Sequence, residues 1–169
     1  MKHLFIALTA LFLISALPAV SLASSPATLQ PLLTAGRWYN GRLDPASVRG
    51  KVVLIDVFTV DCFNCRNVTP ELRKLRASQT RNGLVIAGVH SPETSWEKNP
   101  QHVVSALKDL GVDWPVAVDD DFAIWRAYGV NAWPTQLIFD RHGRLHATIV
   151  GDSQDALVQR TVERLLAQR

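Results

Sequence analysis

The stretch LIDVFTVDCFNC, Leu54 to Cys65, holds both cysteines of the 169-residue chain, two residues apart and directly behind an apolar run. That run, VVLIDVF from Val52 to Phe58, is apolar and largely β-branched except for Asp56. Apolar segments that do not alternate with polar residues belong to strands covered on both faces, as in parallel or mixed sheets flanked by helices. On the other side of the cysteines, Val68, Leu72 and Leu75 keep helical spacing between charged residues, which predicts a helix from Cys65 to about Ser78. The order strand, cysteine pair, helix places Cys62 at the strand end and Cys65 inside the first helical turn.

Four uses of such a pair can be weighed. A closed structural zinc site needs about four ligands, and the chain has no further cysteine. His142 and His146 are separated by the Gly143 turn and do not share a helical face. A purely structural bridge stabilises by closing a long loop in the unfolded chain, and so short a loop gains little. A peroxide trap draws support from Thr59, three residues before Cys62, as in the Thr-x-x-Cys of peroxiredoxins. The proline those enzymes place four residues ahead of the threonine is Ile55 here. A redox couple has the most in its favour. The second sulfur can reach the first, and a helix N-terminus favours the Cys62 thiolate. Cys62 is then the attacking nucleophile and Cys65 the resolving thiol.

Asp56 fits the same reading. A carboxylate inside an apolar strand is costly, and burial raises its pKa towards neutrality. It could take up the proton of Cys65 during exchange; the alternative is a structural carboxylate satisfied by hydrogen bonds.

Further out, GLVIAGVH (Gly83 to His90) predicts a second buried strand, PQHVVSALKDLG a helix ending at Gly111, and WPVAVD a third strand. Asp119 to Asp121 stand where they would cap a helix over FAIWRAYG, and His90 reads as a structural histidine. TQLIFDRHGRLHATIVG forms two runs about His142-Gly143, a hairpin by its pattern, and Ser153 to Gln168 is an amphipathic helix. Near the start, GRWYNGRLDP suggests a short strand and turn, followed by one helical turn at DPASVRGK. The fold class expected is an α/β sandwich with a central mixed sheet flanked by helices.

A hydrophobic share of 47% with 20% charged residues suits one globular domain. A net charge of +3, scattered along the chain, gives no basis for nucleic-acid binding. Residues 1–23 read as a secretory signal: Lys2 and His3 lead, Leu4 to Leu17 is apolar, Pro18 breaks the run, and Ser21 and Ala23 suit cleavage. An uncleaved anchor is the alternative. The domain organisation expected is a signal over 1–23, a polar leader over 24–36 and one domain over 37–169. Export means a periplasmic or secreted location, where disulfides persist.

Taken together, the strand, Cys62-Phe63-Asn64-Cys65, Asp56 six residues before the first cysteine, Pro70 eight after it and AWPT before the hairpin resemble the thioredoxin superfamily. RGKVVLIDVFTVDCFNCRNVTPELRKL, GVHSPE and VDDDFAIWRAYGVNAWPTQLIFDRHGRL are most similar to exported TlpA-type proteins, especially thioredoxin-like domains of the DipZ kind. The resemblance implies that the strand and helix between His90 and Trp125 are a TlpA-type insertion. It implies that Pro134 is a cis-proline facing the cysteines, that the backbone of Trp133 pairs with substrate, and that Pro70 kinks the helix. Phe63 and Asn64 would meet substrate and help set the redox poise.

The resemblance also implies a reductase acting on disulfide-bearing client proteins, recharged by a membrane or periplasmic thiol donor, without cofactor or metal. Two departures stand out. Asp61 occupies the place where thioredoxins usually have tryptophan, and its charge opposes the Cys62 thiolate. Gly88 falls where thioredoxin has a buried lysine beside the carboxylate. A peroxiredoxin-like peroxidase and a non-catalytic binding module with a structural disulfide are the alternative functions.

Overall fold

The structure, a computed structural model, describes residues 27–168; the signal expected over 1–23 lies outside the described residues. Strands β1 (Trp38–Tyr39), β2 (Val52–Phe58), β3 (Leu84–His90), β4 (Val116–Val118), β5 (Thr135–Phe139) and β6 (Leu145–Val150) form one sheet in the order β1-β4-β3-β2-β5-β6. The pairs β2–β3 and β3–β4 are parallel and the remainder antiparallel, so the sheet is mixed as expected. The helices are α1 (Gln30–Leu33), α2 (Pro45–Val48), α3 (Phe63–Gln79), α4 (Pro100–Leu110), α5 (Ala123–Ala127) and α6 (Asp155–Ala167).

Every residue of β2 is buried, which is why its sequence does not alternate. Successive side chains of a strand point to opposite faces, and the core divides accordingly. Val52, Leu54 and Phe58 join Val68, Leu72 and Leu75 of α3, Val103 and Leu107 of α4, and Val158, Val162 and Leu165 of α6. Val53, Ile55 and Val57 join residues of α1, α2 and α5 on the other face. The α4–β4 segment is the inserted unit: β4 extends the sheet beyond β3, and α4 ends at Gly111, whose φ of 67° suits a residue without Cβ.

Two expectations change. The stretch expected to be a polar leader up to residue 36 is, from residue 27, part of the fold. Leu29, Leu32 and Ala35 are buried in the second core, and Thr28 bridges to Arg144. Three leucines and two alanines in residues 27–36 outnumber its three polar side chains, and Leu29, Leu32 and Ala35 turn inward. Cys62, expected at the strand end, lies past it. Strand β2 stops at Phe58, Thr59 to Asp61 form a connection, and Cys62 is the N-cap of α3. Pro70 sits inside α3, which runs on through it.

Candidate active site

Cys62 and Cys65 form a disulfide with Cα atoms 5.3 Å apart. Cys62 is half-buried and Cys65 buried, so Cys62 is the more accessible of the two. As N-cap, Cys62 places Sγ where it accepts from the Cys65 N–H at 3.2 Å. The α3 N-terminus therefore bears on the cysteine assigned the attack, by way of a donor that would also stabilise a thiolate. Between the cysteines Phe63 is 76% exposed and Asn64 is exposed as well.

Asp56 is buried on the α3 side of the sheet, the side of Leu54 and Phe58. Burial pushes its carboxyl up to about 7, against a lowering hydrogen bond from Gln136. Gln136 reaches it because β5 pairs antiparallel with β2 in a register that sets the two residues opposite, Nε2 donating to Oδ1 at 2.9 Å. On the other flank the parallel register sets Gly88 opposite Asp56. A Cβ on Gly88 would come within 2.9 Å of the Phe58 ring and 3.0 Å of Val116. The absence of a lysine there is thus a packing fact: Phe58 lies over the glycine.

The Trp133–Pro134 bond is cis, and Pro134 is buried at the head of β5. Trp133 is half-buried, packed on the same core as Cys62, and its ring lies 4.5 Å from that of Trp125. Its Nε1 donates to the Ser91 carbonyl at 3.0 Å. Ser91 in turn donates to Asp119, which accepts from the Ile124 and Trp125 N–H groups. Asp119 therefore caps α5, as its position before the helix suggests.

Two residues that sequence reasoning left without a role also reach the site. Glu97, in the loop after β3, is only 1% exposed and its carboxylate is saturated. Oε1 accepts from the Thr59 hydroxyl and from the Asp61 N–H at 3.2 Å. Oε2 accepts from the Glu93 N–H at 2.9 Å, the Thr94 N–H at 2.8 Å and the Thr94 hydroxyl at 3.3 Å. Burial alone would raise this carboxyl, but the bonds from Thr59, Asp61, Thr94 and Glu93 outweigh it and hold the group below its ordinary range. The Thr94-x-x-Glu97 spacing signals the local reach-back to Thr94, whereas nothing local signals the contact with Thr59. His90 is buried, and its Nε2 must donate at 2.9 Å because its partner is the Glu97 carbonyl. Burial holds its pKa low against the pull of that carbonyl, which makes it a structural histidine.

His102 of α4 is the second such residue. Its Nε2 lies 2.9 Å from both Asp61 carboxylate oxygens, and its ring packs tilted against that of Trp96, with centroids 5.1 Å apart. Among the described residues no group of three or more histidine, cysteine, aspartate or glutamate side chains could hold a metal ion. His142 and His146 are exposed on the hairpin.

Comparisons with known proteins agree with this arrangement. A family model described as Redoxin matches residues 17–166. The chain is 33% identical over 127 residues to Protein DipZ of Mycobacterium bovis, a match covering 75% of this chain and 18% of that protein. It therefore spans less than a fifth of DipZ. It is 26% identical over 140 residues to thiol-disulfide oxidoreductase YkuV of Bacillus subtilis, covering 82% of this chain and 94% of that one. A solved thiol-disulfide isomerase from Corynebacterium glutamicum superposes with a TM-score of 0.73 at 26% identity, over 81% of this chain and 95% of the other. Since the family match runs through the buried strand, the cysteine pair and the hairpin alike, the chain belongs to the redoxin family, with a thioredoxin-like fold and a disulfide-forming pair consistent with redox-active thiol-disulfide exchange.

Proposed function

We propose that this chain is an exported, TlpA/DipZ-like thiol-disulfide oxidoreductase that reduces disulfides of extracytoplasmic proteins. The observation that carries the reading is the asymmetry of the pair: a half-buried Cys62 at the helix N-terminus and a buried Cys65 behind it. In the reduced protein the Cys62 thiolate attacks one sulfur of a client disulfide, forming a mixed disulfide and expelling the other client sulfur as a thiolate. Cys65 then gives its proton to the Asp56 carboxylate and attacks Cys62 Sγ, releasing the second client sulfur. The client gains two electrons and this chain is left with the Cys62–Cys65 disulfide, which a thiol donor of the membrane or periplasm reduces again.

Several positions support these roles. Asp56 has a pKa near 7 on the α3 side of the sheet, suited to accepting and returning a proton at neutral pH. The Trp133–Pro134 segment, Phe63 and Asn64 are assigned to substrate, with the backbone of Trp133 pairing with the client chain. Export rests on the signal over residues 1–23, with the mature chain beginning at Ser24. A solved disulfide oxidoreductase of the same fold, from Mycobacterium tuberculosis, is described as secreted. A peroxidase would need the Thr59 hydroxyl to orient peroxide, whereas that hydroxyl is buried and donates to Glu97.

The test is trapping. Cys65→Ala, reduced and exposed to an extracytoplasmic extract, is expected to hold clients in mixed disulfides through Cys62; a structural staple would capture none. Equilibration of the native pair against glutathione is expected to give a potential near the roughly −270 mV of thioredoxin, and one near about −120 mV would reverse the direction.

A further inference from the structure

The attacking sulfur hangs on a short connection. Of the three residues between β2 and Cys62, Val60 is buried in the α3-side core, and the other two bind one atom. That atom is Glu97 Oε1, which accepts from the Thr59 hydroxyl and the Asp61 N–H. The same carboxylate closes its own loop through Oε2, taking the N–H groups of Glu93 and Thr94. The backbone of Glu97 is pinned in turn by His90. Where this loop leaves β3, the Ser91 carbonyl holds the indole of Trp133, the residue before the cis-proline. One loop therefore grips both walls of the site, the Cys62 connection through Glu97 and the Trp133–Pro134 turn through Ser91.

We propose that Glu97 is a positioning residue for disulfide exchange: its carboxylate, through Thr59 and Asp61, holds Cys62 in register with the Trp133–Pro134 segment across the site. The inference rests on the oxidoreductase reading given above. Attack on a disulfide needs the thiolate, the scissile bond and the leaving sulfur in line, while the client backbone is held elsewhere. Precise placement of two walls matters for that reaction and hardly at all for a small alkylating reagent, which needs only an exposed thiolate. A buried carboxylate satisfied on both oxygens is a stiff joint, since moving it would break several charge-assisted hydrogen bonds together.

The experiment uses the reduced full chain with Glu97→Gln, Thr59→Val and Thr59→Ser. Insulin is the disulfide probe and iodoacetamide the small one, the latter at a pH where Cys62 is fully ionised. Glu97→Gln turns an amide N–H group towards donors, and Thr59→Val removes the hydroxyl, so both variants are expected to reduce insulin at least tenfold more slowly. Their alkylation rates should stay within twofold of native. Thr59→Ser restores the donor and should recover insulin reduction to within twofold. The proposal is overturned if insulin reduction by both variants stays within twofold of native, if alkylation falls in parallel, or if Thr59→Ser fails to recover. Should Glu97→Gln not fold, the Thr59 pair decides alone. If the native chain itself does not reduce insulin, the joint is judged by NMR, and the functional reading stands or falls with the trapping test. Thr59→Val must shift the Asp61 amide and Trp133 indole signals together, and a change confined to residues 59–61 overturns it.

Discussion

Asp56 and Glu97 are both buried carboxylates near the cysteine pair, yet their surroundings drive them in opposite directions. Asp56 projects from the middle of a strand whose backbone N–H groups are committed to the sheet, and Gln136 supplies its one hydrogen bond. Glu97 sits in a single 3-10 turn, Trp96–Lys98, behind a bend whose Glu93 and Thr94 N–H groups are free to turn inward, and it collects bonds from Thr59, Asp61, Glu93 and Thr94. Burial by itself does not fix a carboxyl's protonation; the supply of donors decides, and secondary structure controls that supply. The site thus holds one acid able to exchange a proton near pH 7 and one that stays ionised as a fixture.

The contrast is broken most directly by Asp56→Asn, which keeps an acceptor for Gln136 and removes the titration. The folded pKa lies near 7, above the ordinary value of 3.8 that the unfolded chain keeps. Between those values the native state keeps a proton that the unfolded chain has lost, so native stability declines as pH rises from about 4 to 7 and the full penalty persists above 7. Asp56→Asn should be more stable than native at pH 8, by on the order of 3–4 kcal/mol, and lose that advantage at pH 4, as paired denaturant melts would report. Insulin reduction at pH 7 should fall by about 10²-fold, the usual scale for losing a proton-transfer group. An unchanged rate would leave Asp56 as a structural carboxylate.

Glu97→Ala sharpens the other side of the comparison. It leaves the Thr59 hydroxyl and the Asp61, Glu93 and Thr94 N–H groups without their acceptor, and some of these will reach water. A loss of about 3 kcal/mol at pH 7 is expected, from roughly 1–3 kcal/mol for each donor that stays buried. Because the folded pKa lies below the ordinary value of 4.5, the stability from Glu97 is fully present above that pH and is lost as pH falls through the folded pKa. Melts at pH 7 and pH 3 should therefore show the penalty shrinking in acid; the Asp56→Asn effect also fades in acid, but with the opposite sign, a gain in place of a loss.

Gly88→Ala probes why Asp56 stands alone. The added methyl meets the Phe58 ring at 2.9 Å and Val116 at 3.0 Å, and overpacking of this kind costs about 1–3 kcal/mol. A denaturation midpoint equal to native would mean that Phe58 moves aside without cost, and that a longer side chain could approach Asp56.

Much of this was legible in the sequence because it depends on local pattern. The unbroken run of β2, the helical spacing after Cys65 and the hairpin about Gly143 each answer to periodicity or turn chemistry. Asp56 was visible because a charge inside an apolar strand breaks a pattern, and Gly88 only through the resemblance to thioredoxin, which has a lysine there; its place opposite Asp56 comes from the parallel register. Glu97 and His102 break no pattern: one lies in a polar loop and the other on a helix. Their roles come from contacts with Thr59 and Asp61, and such long-range pairing of polar groups leaves no periodic trace. Residues 27–36 are apolar enough to dock, but α1 is a single turn, too short for a helical period to mark Leu29, Leu32 and Ala35 as core.

The smallest expected effect belongs to His102→Ala, which asks whether the third acid of the site, Asp61, behaves like either of the others. Asp61 is partly exposed, and its pairing with His102 at 2.9 Å is a surface contact, so stability should fall by less than about 1 kcal/mol. The chemistry should respond more clearly. Asp61 precedes Cys62 directly, and in the native chain its carboxylate is held against the His102 ring. Released by His102→Ala, it can swing towards the Cys62 sulfur, where a like charge disfavours the thiolate. The alkylation pH profile of Cys62 should therefore move to higher pH in His102→Ala and to lower pH in Asp61→Asn, and His102→Ala should have no effect in an Asp61→Asn background. A shift that persists in the double variant would show His102 acting on Cys62 directly, and Asp61 would then be a bystander to the contrast between Asp56 and Glu97.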